Sequence, residues 1–213
     1  MKARPRPPVT SQATLPREVR IIGGAWKRTK LPVANRPGLR PTPDRVRETL
    51  FNWLGQSLPG WHCLDAFAGS GALGFEAASR GAASVVLLDR DPGAAASLRA
   101  VKSRLAAATV EVERADALQW MARAPAASFD LVFLDPPFES TLLGPALPAA
   151  GRVVREGGYL YVESAAPVDP TSAGPAMELF RTGRAGAVHF QLLRRSPASQ
   201  SLHSADMEGS PAT

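Results

Sequence analysis

The sequence predicts one α/β domain built on a mixed, mostly parallel β-sheet with helices on both faces. Short β-rich runs alternate with Ala-rich helical stretches between residues 62 and 164, and a glycine-rich turn follows the first run. The last part of the domain, 177–195, has the pattern of two strands around a glycine turn. A chain of 213 residues with 45% apolar content can bury one core, but not two full domains.

The predicted domain covers residues 20–195, with an N-terminal arm and helix in 20–60 and a nucleotide-binding core in 61–195. Both ends of the chain, 1–19 and 196–213, are rich in proline and small polar residues. They contain too little apolar surface to offset the entropy lost on ordering, so we expect two disordered tails.

The first helix is predicted to begin after Thr42, with Thr42 as N-cap, Pro43 at the first helical position and Asp44 in the first turn. Its apolar face is then formed by Val46, Leu50, Trp53 and Leu54.

Five strands are predicted in the repeating part of the chain. They are HCLDAF (62–67), SVVLLD (84–89), TVEVER (109–114), FDLVFLD (129–135) and YLYVES (159–164). The segment 177–195 adds two more strands around a turn at Gly183 and Gly186, which predicts an antiparallel edge on the sheet.

The composition excludes several classes of protein. No run approaches the roughly 18 apolar residues of a membrane span, so we expect a cytoplasmic protein without a membrane partner. The single cysteine, Cys63, and three histidines show no metal-ligand spacing, so we expect no metal site.

Positive charge is concentrated at the start of the chain. Residues 1–47 contain 12 Lys/Arg and 2 Asp/Glu, or +10, whereas the rest contains 13 and 17, or −4, which gives the net +6. Basic tails often only keep a protein in solution, but beside a catalytic domain this asymmetry favours a polyanionic partner.

The glycine-rich turn predicts a cofactor site. Gly69, Gly71 and Gly74 match G-x-G-x-x-G between a strand and a helix, and Asp89 ends the next strand, where it can bind ribose hydroxyls. Asp65 would repel a pyrophosphate, which argues against a nicotinamide dinucleotide. A cationic cofactor such as S-adenosylmethionine, with its ammonium and sulfonium groups, suits this acid. Asp65 could instead act only as a local cap.

Asp116 follows the third strand of the repeating part, at the same edge of the sheet. It can accept a hydrogen bond from the adenine amino group of the cofactor, or cap the helix that starts at Ala117. Both roles are compatible.

The sequence Asp135-Pro136-Pro137-Phe138 predicts the catalytic site, because it follows the fourth strand where open α/β sheets bind ligands. The lone pair of a base's exocyclic amine is delocalised into the ring. The Asp135 carboxylate and the Pro136 carbonyl can each accept one N–H of that amine and aim its lone pair. Phe138 offers a face on which an extruded base can stack.

With these motifs, residues 20–164 resemble the RsmD-type 16S ribosomal RNA (guanine-N2)-methyltransferases, a family of class I methyltransferases with an [N/D]PP[Y/F] motif. The resemblance is strongest in two blocks. They are 20–53, from RIIGGAW to FNW, and 64–74 together with DPPF. The resemblance implies a Rossmann-like sheet of seven strands and S-adenosylmethionine as cofactor. It also implies ribosomal RNA as partner, within a small-subunit particle. Asp89 departs from the Glu that is common in similar proteins.

The resemblance also implies that Arg40 and Thr42 border the cofactor pocket. The expected cofactor-binding set is Arg40, Thr42, Asp65, Phe67, Gly69, Ser70, Gly71, Asp89, Arg90, Asp116 and Ala117. The expected RNA-contacting set is Arg20, Lys27, Arg28, Lys30, Arg36 and Arg45. We expect the protein to act as a monomer.

Two other functions are compatible with parts of this pattern. A DNA adenine-N6 methyltransferase could use DPPF equally well, but about 175 folded residues leave little room for a target-reading region. A non-catalytic RNA-binding module would not require Asp135 and Pro136. Guanine as the target base depends on the resemblance alone.

Overall fold

A computed structural model describes residues 18–33, 42–137 and 140–197 of the chain. Its centre is a seven-stranded sheet, as predicted. The strands are β3 (His62–Asp65), β4 (Ser84–Asp89), β5 (Val110–Arg114), β6 (Phe129–Leu134), β7 (Val154–Ser164), β8 (Met177–Ala185) and β9 (Val188–Arg195). Two short strands, β1 (Glu18–Arg20) and β2 (Lys30–Pro32), form a separate antiparallel pair.

The order of the strands in the large sheet is β5-β4-β3-β6-β7-β9-β8. The five strands from β5 to β7 are parallel, and β9 pairs antiparallel with both β7 and β8. Chain order reverses between β3 and β6, which is the switch point where ligands bind in such sheets. The predicted mixed sheet is therefore confirmed.

Helices cover both faces of the sheet. They are α1 (Asp44–Trp53), α2 (Ala72–Ser79), α3 (Pro92–Arg104), α4 (Ala117–Arg123) and α5 (Leu143–Val153). The core on one face joins α1, α2 and α3 to the strands. The core on the other face joins α4 and α5 to them.

The prediction that Thr42 is the N-cap of the first helix is wrong. Pro43 is the N-cap: its backbone is extended, with φ −56° and ψ 146°, and its carbonyl accepts hydrogen bonds from the N–H groups of Val46 and Arg47. The helix therefore begins at Asp44, and the Thr42 hydroxyl is directed to another partner.

The terminal hairpin is confirmed, but its turn is smaller than predicted. Ala185 pairs with Val188, so the loop is only Gly186 and Ala187, and Gly186 has φ +62°. Gly183 lies inside β8 instead, where a Cβ would be 2.3 Å from the Phe190 ring. The ring occupies the space above this position, which explains a glycine within the strand.

Ordered backbone continues slightly beyond both ends of the predicted domain, 20–195. β1 begins at Glu18, and Val19, inside the predicted tail, is buried. At the other end, the Ser196 N–H donates to the Ala176 carbonyl. The rest of both predicted tails, 1–17 and 198–213, lies outside the described residues.

Within residues 18–33, 42–137 and 140–197, no helix is long and apolar enough to cross a membrane.

Candidate active site

The candidate site lies at the carboxyl ends of three neighbouring strands. Asp65 is the last residue of β3, Asp89 is the last residue of β4, and Asp135 directly follows β6. Because these strands are parallel and adjacent, their ends meet at one edge of the sheet. The fold therefore brings together three of the predicted site residues, all of them acids.

The backbone of the glycine turn between β3 and α2 has positive φ angles, which glycine permits. Gly69 and Gly71 have φ +53° and +76°, which other residues rarely adopt. The Gly69 N–H donates to Asp89 Oδ2 at 3.2 Å, and the Asp91 N–H donates to Asp89 Oδ1 at 2.8 Å. Asp89 thus ties the glycine turn to the end of β4, at the position predicted for ribose.

Asp65 is buried under the first turn of α2. Its Oδ2 accepts a hydrogen bond from the Gly74 N–H at 3.0 Å, so the capping alternative raised for this residue does occur. Burial, with a smaller contribution from the charge of Asp89, raises the pKa of Asp65 to about 7. A cation placed beside a buried carboxyl with a raised pKa stabilises its charged form.

Gly74 permits the close contact between α2 and the sheet. A Cβ at this position would be 2.1 Å from Leu87 Cδ2 and 3.2 Å from Asp65 Oδ2. The third glycine of the turn is therefore needed for close packing of the helix on the sheet, which is the usual role of this glycine in the motif.

Asp135 is held by Thr42, which lies two residues before the start of α1. The Thr42 hydroxyl, itself buried, donates to Asp135 Oδ2 at 3.4 Å. Burial and the nearby charges of Glu163 and Asp65 raise the pKa of Asp135 well above its usual value. Pro136 is buried and Pro137 is exposed, whereas Phe138 lies outside the described residues.

Glu163 and Tyr161 are two site residues that the sequence reasoning missed. Both lie on β7, and Tyr161 Oη donates to Glu163 Oε1 at 2.9 Å. Two signals were available: alternation along YLYVES puts both residues on one face, and the glutamate is the last residue but one of the strand.

The other predicted cofactor residues occupy the rim of this edge or lie beyond the described residues. Asp116 is the N-cap of α4 and accepts the Gln119 N–H at 3.0 Å, so the capping role is present. Phe67 and Ser70 are half-buried, Ala117 is buried, and Arg90 is exposed. Arg40 falls in the segment 34–41, which the structure does not describe.

A buried ion network anchors the segment that carries Thr42. Arg47 is fully buried; its guanidinium donates to the Thr42 carbonyl at 3.3 Å and pairs with Glu76 at 3.3 Å and with Asp44 at 2.7 Å. Arg80 pairs with the other oxygen of Glu76 at 2.8 Å. The network joins α1 to α2 and so fixes Thr42 relative to the sheet.

The basic residues predicted to contact RNA fall into two groups. Arg45 is exposed on the first turn of α1, and Arg20 pairs with Asp44 at 3.5 Å, so both lie near Thr42. Lys27 and Arg28 lie in a turn whose backbone is bound to Ser79, at the end of α2 remote from the glycine turn. Lys30 is beside the end of α3, where Arg104 donates to its carbonyl. Arg36 lies outside the described residues.

Among the described residues, no group of three His, Cys, Asp or Glu side chains is arranged to hold a metal ion.

The comparisons with known proteins agree on one family. A family model described as "Conserved hypothetical protein 95" matches residues 19–194. The chain is 39% identical over 190 residues to the Escherichia coli "Ribosomal RNA small subunit methyltransferase D", covering 86% of this chain and 93% of that protein. It is 44% identical over 154 residues to the Haemophilus influenzae protein of the same name, covering 69% and 79%.

A solved structure of the Escherichia coli protein yhhF is also similar. It shares 40% identity with this chain and has a TM-score of 0.73, with 84% of this chain and 98% of that chain covered. The likeness therefore extends over most of the chain.

Proposed function

The chain belongs to the RsmD family, and we propose that it transfers a methyl group from S-adenosylmethionine to the N2 amine of a guanine in small-subunit (16S) ribosomal RNA. The observation that carries the proposal is the position of Asp135. This carboxyl lies directly after β6 at the switch point of the sheet, beside the acids that end β3 and β4.

The acids of the site fit S-adenosylmethionine. The charge of Asp89 raises the pKa of Asp65, and the charge of Asp65 raises that of Asp135, so the three carboxyls repel one another. A ligand with an ammonium and a sulfonium group relieves this repulsion. Asp65 and the glycine turn would hold the methionine part, Asp89 the ribose, and Asp116 the adenine amino group.

When bound, S-adenosylmethionine supplies an electrophilic methyl group, and its transfer to an amine leaves one extra proton on the nitrogen. Asp135 and the Pro136 carbonyl accept the two N–H groups of that amine and direct its lone pair outward. The extra proton then passes to water, and Asp135 acts as a hydrogen-bond acceptor only. Thr42 orients the carboxyl by donating to Oδ2, so the other oxygen, Oδ1, can face the amine.

Ribosomal RNA as substrate is supported by the family, since relatives along most of the chain are named small-subunit rRNA methyltransferases. Guanine as the target base depends on the resemblance of the motifs alone. The amine-orienting geometry alone suits adenine N6 as well. Arg45 and Arg20, exposed near Thr42, are placed to meet phosphates around the target nucleotide, and the turn at Lys27 and Arg28 would meet RNA farther away.

Methyl-group labelling tests the substrate class. The full chain is incubated with S-adenosylmethionine labelled in the methyl group and, separately, with small-subunit particles, naked small-subunit RNA and duplex DNA. The proposal requires label in the particles or the RNA. Label in the duplex DNA alone would favour a DNA adenine-N6 methyltransferase instead, and cofactor binding without transfer to any substrate would favour an RNA-binding module.

A further inference from the structure

The tip of the terminal hairpin lies at the same edge of the sheet as Asp135. The last residue of β7, Ser164, pairs with His189 of β9, and His189 pairs with Arg184 of β8. β7 is the neighbour of β6, and Asp135 directly follows β6. Because neighbouring strands are about 4.8 Å apart, His189 and Arg184 start about 10 and 14 Å from Asp135 across the sheet. A nucleic-acid strand covers that distance within a few nucleotides.

The first helix holds the hairpin in this position. Trp53, the last residue of α1, stacks on Phe190 with the ring centroids 5.4 Å apart. The Phe190 ring in turn fills the space above Gly183, where a Cβ would be 2.3 Å from it. The same helix follows Thr42, which donates to Asp135. The hairpin and the Asp135 carboxyl are therefore both fixed to α1.

Arg184 and His189 have the chemistry to bind a phosphate group. Arg184 is exposed, and its Nε–H donates to the Gly186 carbonyl at 2.9 Å, which holds the guanidinium at the turn. An arginine has five N–H donors in a planar fork that matches a phosphate. His189 is half-buried, and its ring nitrogens can also form hydrogen bonds. The segment 177–195 contains four arginines and one acid, Glu178, which lies at the other end of β8. The tip is therefore a cationic end of the hairpin.

We propose that this tip is an RNA-contacting surface, in which Arg184 and His189 bind phosphates of nucleotides that flank the target. The inference rests on the proposed function, which brings a base of the RNA to Asp135. Arg45 and Arg20 contact the same RNA from the N-terminal part of the domain. The tip does not touch the reacting atoms, so it contributes to affinity for RNA and not to the methyl-transfer step.

Single substitutions in the full chain test the proposal with small-subunit RNA or particles, whichever the wild-type chain methylates. Arg184→Ala raises KM for this substrate about tenfold, close to the lower end of the range for a hydrogen bond to a charged group, with kcat and cofactor affinity unchanged. It also reduces the log–log salt slope of RNA binding by about 0.7, the value for one phosphate contact on a single strand. Arg184→Lys keeps the wild-type salt slope because it keeps the charge, and its KM lies between those of wild type and Arg184→Ala because the planar fork is lost. His189→Ala raises KM at unchanged kcat.

Arg181→Ala is the matched control. It removes the same charge from an exposed position of the same strand, three residues farther from the tip. Its KM and salt slope remain those of wild type. Thermal unfolding of each variant identifies loss of fold, and Arg184→Gln, which also removes the charge, replaces Arg184→Ala if the latter does not fold.

Two results would overturn the inference. If Arg184→Ala keeps the wild-type KM and salt slope, the tip does not contact RNA. If Arg181→Ala changes both quantities as much as Arg184→Ala does, the effect belongs to the overall charge of the hairpin and not to its tip. Filter binding of the RNA requires no methyl transfer, so it distinguishes this inference from the proposed function. A wild-type chain that binds the RNA through Arg184 but transfers no methyl group to it would support the contact at the tip and contradict the proposed function.

Discussion

The Thr42 hydroxyl donates to the Asp135 carboxylate across 93 positions of the sequence, at 3.4 Å. This contact joins the segment before α1 to the motif after β6, so the N-terminal arm forms part of the site. The Arg47 guanidinium holds Thr42 in place by donating a hydrogen bond to its backbone carbonyl. The Asp135 carboxyl is therefore oriented by a part of the chain outside the sheet.

Asp135→Ala is expected to leave cofactor affinity nearly unchanged and to slow methyl transfer at least ~10²-fold, because an oriented acceptor contributes that much in a preorganised site. Asp135→Asn is expected to be milder, since it keeps one acceptor oxygen. Single-turnover rates with labelled cofactor measure both. An Asn variant as slow as the Ala variant would show that Asp135 acts as a general base and not only as an acceptor.

Asp89→Ala is expected to weaken cofactor binding by about 1.5–3 kcal/mol, the range for a charge-assisted hydrogen bond. The rate at saturating cofactor should barely change. Calorimetry measures the affinity, with Glu111→Ala, an exposed acid on β5, as control. Unaltered affinity would mean that Asp89 only ties the glycine turn to β4.

Cofactor affinity is expected to decrease as the pH falls below about 7. The pKa of Asp65 is raised to about 7 in the free protein, so below that pH the carboxyl is neutral and must lose a proton to face a cation. The dissociation constant should rise by up to tenfold for each pH unit below 7 and stay flat above it. Asp65→Asn is the control: it should bind weakly with a much smaller pH dependence. If cofactor affinity depends on pH equally in wild type and in Asp65→Asn, the group that titrates is not Asp65.

The same raised pKa has the opposite effect on folding. A carboxyl whose pKa is higher in the folded than in the unfolded chain contributes stability below its unfolded value, near 3.8, and loses it as the pH rises toward 7. Asp65→Asn should therefore be more stable relative to wild type at pH 8 than at pH 4. Urea unfolding at the two pH values checks this, and a constant difference would contradict it.

Gly74→Ala is expected to destabilise the fold by about 1–3 kcal/mol, because its Cβ would overlap Leu87. Gly144→Ala is the matched control, since it is also a helical glycine and a Cβ there meets nothing within 4 Å. That change should be neutral or stabilising by up to about 1 kcal/mol. The denaturant midpoints of the two variants measure their stability. Equal losses of stability would show that Gly74 has no special packing role.

Changing Lys27, Arg28 and Lys30 together to Ala tests whether the N-terminal arm contacts RNA. Loss of phosphate contacts should weaken RNA binding and reduce the log–log salt slope by about 0.7 per contact on single strands, with cofactor binding unchanged. The matched control removes three other exposed charges, at Arg123, Arg181 and Arg194. If the arm variant keeps the wild-type RNA affinity, salt slope and methylation rate, the arm has only a structural role, in which Ile21 and Trp26 pack it against the domain.

Most of the sheet could be predicted from the sequence because alternating β-rich and Ala-rich segments allow few topologies. The three-residue strands β1 and β2 were not predicted, since so short a run has no distinct periodicity. Thr42 looked like an N-cap because local sequence cannot reveal a partner 93 positions away. In the same way, Glu163 could be placed beside Asp135 only when β6 and β7 were known to be neighbours.

The measurement that tests the account most directly is the identity of the methylated nucleoside. Small-subunit particles treated with the wild-type chain or with Asp135→Ala are digested to nucleosides and analysed by mass spectrometry. The account predicts new N2-methylguanosine with the wild-type chain, and almost none with the variant in the same time. A different methylated nucleoside, or equal N2-methylguanosine from both proteins, would contradict it.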